Sequence, residues 1–199
     1  MQGFRVVVNG APVVTVSTEA MALLSVQIGG SRYETELARL AVDGMTDADE
    51  GRNSLFWVPD TLMPESISVQ VDFLESAVTS CPGKTMAEIH PDEPEIEIPT
   101  EFVVTAEMID EIRSRPILRR RYAFELDSPA GKVRDETIEE ECEFSFLILW
   151  NKYHPERARV SVSGFSIDSV AAQRPPKSYF NAMLRLGESV VLHLSSVAE

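Results

Sequence analysis

Arg32-Tyr33-Glu34-Thr35-Glu36-Leu37-Ala38-Arg39-Leu40-Ala41-Val42-Asp43-Gly44 returns later in the chain, without a gap. The second version is Lys152-Tyr153-His154-Pro155-Glu156-Arg157-Ala158-Arg159-Val160-Ser161-Val162-Ser163-Gly164. Tyr, Glu, Ala, Arg, Val and Gly keep their places at a constant offset of 120 residues. The match extends outward in both directions. Upstream, Phe4 and Val6 correspond to Phe124 and Leu126, and Ile28-Gly29-Gly30 to Ile148-Leu149-Trp150. Downstream the offset grows by three, so that Phe56-Trp57 faces Tyr179-Phe180 and Glu65-Ser66-Ile67 faces Glu188-Ser189-Val190. The order of elements is kept throughout, which separates a duplication from chance alternation. Two copies are too few for a solenoid. A tandem pair of this kind is expected to pack about an approximate twofold axis, as two chains of a homodimer do.

Each copy reads as short strands. Phe4-Arg5-Val6-Val7-Val8 and Ala11-Pro12-Val13-Val14-Thr15-Val16 flank Asn9-Gly10, the residue pair that best accepts the positive φ of a tight hairpin turn. Pro12 has no amide hydrogen for a ladder and predicts an edge position. Leu24, Val26 and Ile28 alternate with Ser25 and Gln27, and Leu40 and Val42 with Arg39 and Ala41. Thr46 to Asn53 reads as a polar loop. Leu55 to Val58 forms a short strand that Pro59-Asp60 should stop. Ser66 to Phe73 is the cleanest alternation. In the second copy, Tyr122 to Val133 echoes the hairpin through the turn residues Asp127 to Gly131. Phe144 to Trp150 is apolar at every position but Ser145, which predicts a strand buried on both faces. Between the copies, Cys81 to Pro99 alternates prolines and acids, as an extended connector does, with Ile96 and Ile98 able to pair as an edge strand. Thr85 to Ile89 predicts a helical turn. Thr105 to Arg113 predicts a helix with Thr105 as N-cap and Pro116 beyond its end.

The fold class is therefore mainly β (α+β). Two tandem-duplicated antiparallel β-sandwich or partly open barrel modules stand in a pseudo-twofold arrangement, with one inserted helix near the junction. The first β module covers 1–78. An acidic, proline-rich connector with a helix at about 105–115 covers 79–118, and the second β module covers 119–199.

The formal net charge is −14. Such a field repels nucleic-acid phosphates and anionic membranes and attracts basic partners. Neither a basic segment leading into a long apolar core nor a run of about 18 apolar residues is present. Cys81 and Cys142 form no close-spaced motif. These features point to a cytoplasmic protein with two free thiols.

Motifs for chemistry are scarce. His90, His154 and His193 have no zinc-ligand spacing, and Asp47-Ala48-Asp49-Glu50-Gly51 lacks the register of a calcium loop. No phosphate-binding glycine loop occurs. Cys81 and His90 are a pair only in sequence. No catalytic residue, cofactor or metal site is assigned, and the reading leans away from an enzyme. Tyr33, Glu36 and Arg39, repeated as Tyr153, Glu156 and Arg159, read as a Glu–Arg pair with a tyrosine stacked on the loop, an anchor of the duplicated fold. Acids gather from Glu88 to Glu111 and again from Glu136 to Glu143. Arg113, Arg115, Arg119, Arg120 and Arg121 lie between them, either to pair with the acids or to leave an acidic docking surface. The expected function is a non-enzymatic protein-binding module that docks a basic protein partner, an immunity protein neutralising a bacterial toxin being its concrete version. The partner-binding candidates are Trp150, Tyr153, His154, Glu93, Glu95, Glu97, Asp110 and Glu111. The alternatives are a structural or assembly component, and an enzyme or small-ligand carrier with its site at the module junction. The differences between the copies, Gly29-Gly30 against Leu149-Trp150 and Glu34-Thr35 against His154-Pro155, mark where one copy would carry a function of its own.

Overall fold

The turn at Asn9-Gly10 sets the pattern for the chain. Asn9 has φ 50° and Gly10 φ 81°, which suits the right-handed twist of the strands on either side. They are β1 (Gly3–Val8) and β2 (Ala11–Ser17). The computed structural model describes residues 1–47, 53–63, 66–92 and 104–197. Next come β3 (Met21–Ser31), β4 (Ala38–Thr46), β5 (Ser54–Met63) and β6 (Ser66–Leu74), then the helices α1 (Met86–Ile89) and α2 (Ala106–Ser114). The second half holds β7 (Arg121–Ser128), β8 (Gly131–Glu136), β9 (Glu141–Asn151), β10 (Arg157–Ser166), α3 (Ile167–Ala171), β11 (Lys177–Arg185) and β12 (Ser189–Val197). Thr105 caps α2, its hydroxyl accepting from the Met108 amide at 3.3 Å, and Thr85 caps α1 with a reciprocal Glu88 contact. Glu93, Glu95, Glu97 and the Ile96–Ile98 pairing lie outside the described residues.

Two six-stranded antiparallel sheets face each other. The first has the order β2-β1-β6-β12-β7-β8 and the second β11-β10-β9-β3-β4-β5. Each sheet takes three strands from either half of the chain, and its order reads the same from both ends. The seams are self-complementary. In the second sheet Gln27 pairs with its own counterpart Leu147. Leu24 pairs with Trp150, and their counterparts Phe144 and Gly30 pair with each other. In the first sheet Val69 pairs with its counterpart Leu192. This is the register of an isologous interface. The inward rows of both sheets, including Phe4, Val26, Ile28, Phe73, Phe124, Phe146 and Leu192, form one continuous core. Phe124 and Phe144 meet across the two sheets with ring centroids 5.6 Å apart.

The seam of the first sheet is tied by Asp72, which is 4% exposed. Its Oδ1 accepts from Gln70 Nε2 at 2.7 Å and from Ser189 Oγ at 2.6 Å, and its Oδ2 accepts from Arg5 Nε at 2.7 Å. Burial alone would raise this carboxyl, but the hydrogen bonds from Ser189, Gln70 and Arg5 outweigh it and hold the carboxyl below its usual value. A carboxylate depressed in the folded state stabilises above its unfolded value of about 3.9, and the stabilisation is lost as pH falls through the folded value. Asp72→Ala is expected to cost about 1–3 kcal/mol at pH 7, because it strands three donors. Urea denaturation of both proteins at pH 7 and pH 3 checks this, with the gap narrowing at the lower pH.

Three local expectations change. β5 does not stop at Pro59 but runs to Met63. It is an edge strand, where a residue without an amide hydrogen is tolerated, and the register with β4 shifts around it. β9 is central in its sheet, yet Ser145, Leu147 and Leu149 on its outer side are only half-buried, because no described element covers that face. The helix α3, with its Ser166–Ser169 capping box, was not expected. It accompanies the change of offset between the copies and packs on α2, where Arg113 reaches Asp168 at 2.7 Å.

Candidate functional site

The outer faces of the two sheets differ in kind. Across the first sheet one row runs Ser68, His193, Glu125, Arg134, polar throughout. The broad hollow there is lined by arginines and acids together, with Arg121 2.9 Å from Glu136. Across the second sheet a row runs Met183, Arg159, Leu149, Ser25, Asp43, Phe56. Leu149 near its centre faces outward, as does Leu147 two residues away on β9, with Asp43 in the same row.

Two adjoining depressions, sharing Gln27, form a groove on this face. One, of about 320 Å³, has Gly29 and Gly30 in its lining, with Glu34, Asp60, Glu143 and Arg39 around it. It exists because Gly29 has no side chain. A Cβ there would meet nothing within 4 Å, whereas the counterpart Leu149 fills the equivalent place in the other half. The other depression, of about 260 Å³, lies between Leu147 and Leu149 on one side and Met45 and Phe56 on the other. In its lining, Ser25 Oγ donates to Asp43 Oδ1 at 2.8 Å and Gln27 Nε2 lies 3.3 Å from Asp43 Oδ2. The groove thus crosses the seam of the two halves.

Its charges are unevenly matched. Arg39 holds both carboxylate oxygens of Glu34, at 3.1 and 3.3 Å. Glu143 keeps a good part of its surface open, yet burial of its carboxyl and then the nearby Glu34 push it above the usual carboxylate value. Burial also raises Asp43, with Asp60 adding to the shift and the Ser25 hydroxyl opposing it. A carboxyl raised in this way gains from an approaching cation, which restores its charged form. Among the described residues no group of three or more His, Cys, Asp and Glu side chains is placed to hold a metal ion.

No family model, curated protein or solved structure matches the chain. The groove residues are what the structure offers.

The candidates from the sequence are scattered. Trp150 belongs to the core at 3% exposure, its indole N–H donating to the Pro155 carbonyl at 3.1 Å, and its side chain presents little surface. Tyr153 is 79% exposed on the β9–β10 turn, with Lys152 Nζ 5.7 Å from its ring centre. His154 Nδ1 accepts from the Arg157 guanidinium at 3.2 Å. Asp110 and Glu111 on α2 are met by Arg113 at 3.8 Å and Arg115 at 2.7 Å. The arginine run serves its own neighbours: Arg120 pairs with Glu139, and Arg119 donates to the Leu37, Glu34 and Thr35 carbonyls. The repeated Tyr–Glu–Arg set also differs from expectation. Arg39 pairs with Glu34 rather than Glu36, and Arg159 reaches Asn181 at 3.3 Å. Glu36 instead accepts from the Thr35 hydroxyl at 2.8 Å. Cys142 is buried, and that burial pushes its thiol up to about 11.

Sequence reading gives no role to Leu147, Asp43 and Asp60, and names Leu149 only as a difference between the copies and Glu143 only as one of an acidic cluster. The signal for the leucines was present in the two-sided apolar character of β9. That character predicts burial on both faces, whereas the other sheet covers only the inner side.

Proposed function

We propose that this is a non-enzymatic binding module that seats a basic, partly apolar segment of a protein partner in the groove of the second sheet. The observation that carries the reading is the outward row of Leu147 and Leu149 beside Asp43 and Glu143. An apolar centre with a charged surround is the anatomy of a protein interface. The acids select a basic partner, and the net charge of −14 steers it in. An immunity protein that neutralises a basic bacterial toxin is the concrete version, supported by the small size and the acidity of the chain. A cytoplasmic setting accords with it, and no helix among the described residues is long and apolar enough to cross a membrane.

An eight-residue peptide of alternating leucine and lysine serves as the probe, with a leucine–glutamate peptide as control. Titration calorimetry should show binding of the basic peptide alone, weakening several-fold as salt is raised past physiological strength. Leu147→Asp should lose at least about tenfold in affinity, the loss expected when most of a leucine's burial is forfeited. Salt-independent binding, or equal binding by the variant, would sink the reading. So would a concentration-dependent dimer that buries this face, which would make a second copy its occupant.

A further inference from the structure

The two lateral margins of the sandwich are built alike but closed differently. At one margin β2 and β5 are the end strands, and at the other β8 and β11. The segment after β6 straps the first margin. The Ser80 N–H donates to the Thr15 carbonyl at 2.9 Å, and its hydroxyl accepts from the Thr15 amide at 3.1 Å. The Thr79 hydroxyl accepts from the Ser17 amide at 3.0 Å. Lys84 and Phe56 then exchange two backbone hydrogen bonds, at 2.8 and 2.9 Å. The strap thus joins both sheets and uses only backbone groups of the two edge strands. Its Gly83 lies against the Trp57 ring, where a Cβ would come within 2.9 Å.

Register identifies the same places at the second margin. Arg134 pairs with Glu125 as Thr15 pairs with Arg5, and Ser178 with Ser163 as Phe56 with Asp43. Among the described residues no backbone hydrogen bond reaches Arg134 or Ser178 from outside its own sheet. Burial shows the consequence. Val14 and Val58 at the strapped margin are 4% and 6% exposed. Their counterparts Val133 and Phe180 pack on the core but are only half-buried. Ile138, whose amide donates to the Tyr179 hydroxyl at 3.2 Å, is 43% exposed. Tyr179 stands where Trp57 does. Its hydroxyl donates to the buried Glu141, and Lys177 Nζ lies 4.3 Å over its ring.

We propose that this second margin binds an extended, uncharged segment of a protein partner, made of small residues, that adds to β8 and β11 as the strap adds to β2 and β5. In strand addition of this kind the main chain supplies the affinity. Charge sets the composition. Arg134 and Lys177 repel a basic segment, and Asp135 and Glu136 an acidic one. The same cations, repeated on a second copy, would face one another and discourage its pairing there. A glycine is required where the segment crosses Tyr179, because Lys177 already lies on that ring. Neither the leucine–lysine nor the leucine–glutamate peptide fits, and the margin is separate from the groove.

The probe is a capped peptide copying residues 75–84 with serine in place of Cys81, in which one glutamate and one lysine cancel. Amide hydrogen exchange of the full chain, read residue by residue, locates its binding. At about 2 mM peptide the Arg134 and Ser178 amides should exchange at least about threefold more slowly, as a Kd below about 1 mM gives. The same peptide methylated on its Ser80 and Lys84 amides keeps its side chains and should leave both rates unchanged. Excess leucine–lysine peptide should not reverse the slowing. Unchanged exchange with the parent peptide, an equal effect of the methylated one, reversal by the leucine–lysine peptide, or amides already slow in the peptide-free chain overturns the proposal. So does slowing that grows with protein concentration alone, which makes a second copy the occupant.

Discussion

Truncating Phe146 to alanine is expected to destabilise the protein by about 3–5 kcal/mol, the usual loss for a buried aromatic. Phe146 is fully buried in the middle of β9. It pairs with Ile28 on one side and Val162 on the other, so three central strands close around its ring. None of them can move inward without breaking a ladder, and the cavity would stay largely open. The neighbouring substitution Leu147→Ala is expected to lower stability by only about 1 kcal/mol or less, since that side chain lies half-exposed on the outer face. Urea denaturation of the two variants measures the difference. Near-equal losses would mean that the outer face of the second sheet is covered in solution.

The second large effect separates two adjacent glycines. Gly30→Trp installs the residue that the other half carries at Trp150, and it is expected to destabilise by about 3 kcal/mol or more. A Cβ at Gly30 would lie 2.6 Å from the Tyr122 hydroxyl and 2.8 Å from the Leu37 carbonyl. Tyr122 is 2% exposed and fills this space itself, so the ring of a tryptophan has nowhere to go. Gly29→Leu installs the counterpart Leu149 instead. Its Cβ meets nothing, so the variant should fold and gain roughly 0.5–1 kcal/mol from the loss of glycine flexibility in a strand. It should also fill the depression beside Glu143 and weaken the basic peptide. Thermal unfolding and peptide titration of both variants check this. A Gly29→Leu protein that binds the peptide with undiminished affinity would remove that depression from the binding surface.

These two glycines also show how far the sequence could be read. The replacement of Leu149-Trp150 by Gly29-Gly30 was visible as a difference between copies, and it does mark the groove. What each glycine does was not visible. Gly30 makes room for Tyr122, which comes from the other half of the chain. Gly29 leaves a hollow open to solvent. The distinction depends on which side of one sheet each residue faces and on what the opposite sheet places beneath it. The same limit applies to Glu141. Its cluster of acids reads as partners for the arginines or as a docking surface, because nothing local signals that Tyr179, 38 residues away, turns inward to meet it. Of the arginine pairings around α2 only Arg113 with Asp110 and Arg115 with Glu111 are local, whereas Arg113 with Asp168 and Arg119 with the carbonyls of Glu34, Thr35 and Leu37 are not.

The sequence by itself determined most of the strands and the hairpin turns. Each rests on a short-range rule: the period of two, the positive φ of Asn9-Gly10, the missing amide hydrogen of Pro12, the capping hydroxyl of Thr105. Only the tertiary structure decided that both sheets run unbroken through the seam. The self-pairing of Gln27 with Leu147 and of Val69 with Leu192 joins six strands in each sheet over one core. Strand pairing across the halves is a contest between surfaces far apart in the chain, and period and composition do not rank its outcomes. The same long-range pairing left the outward leucines of β9 uncovered and turned Glu141 inward.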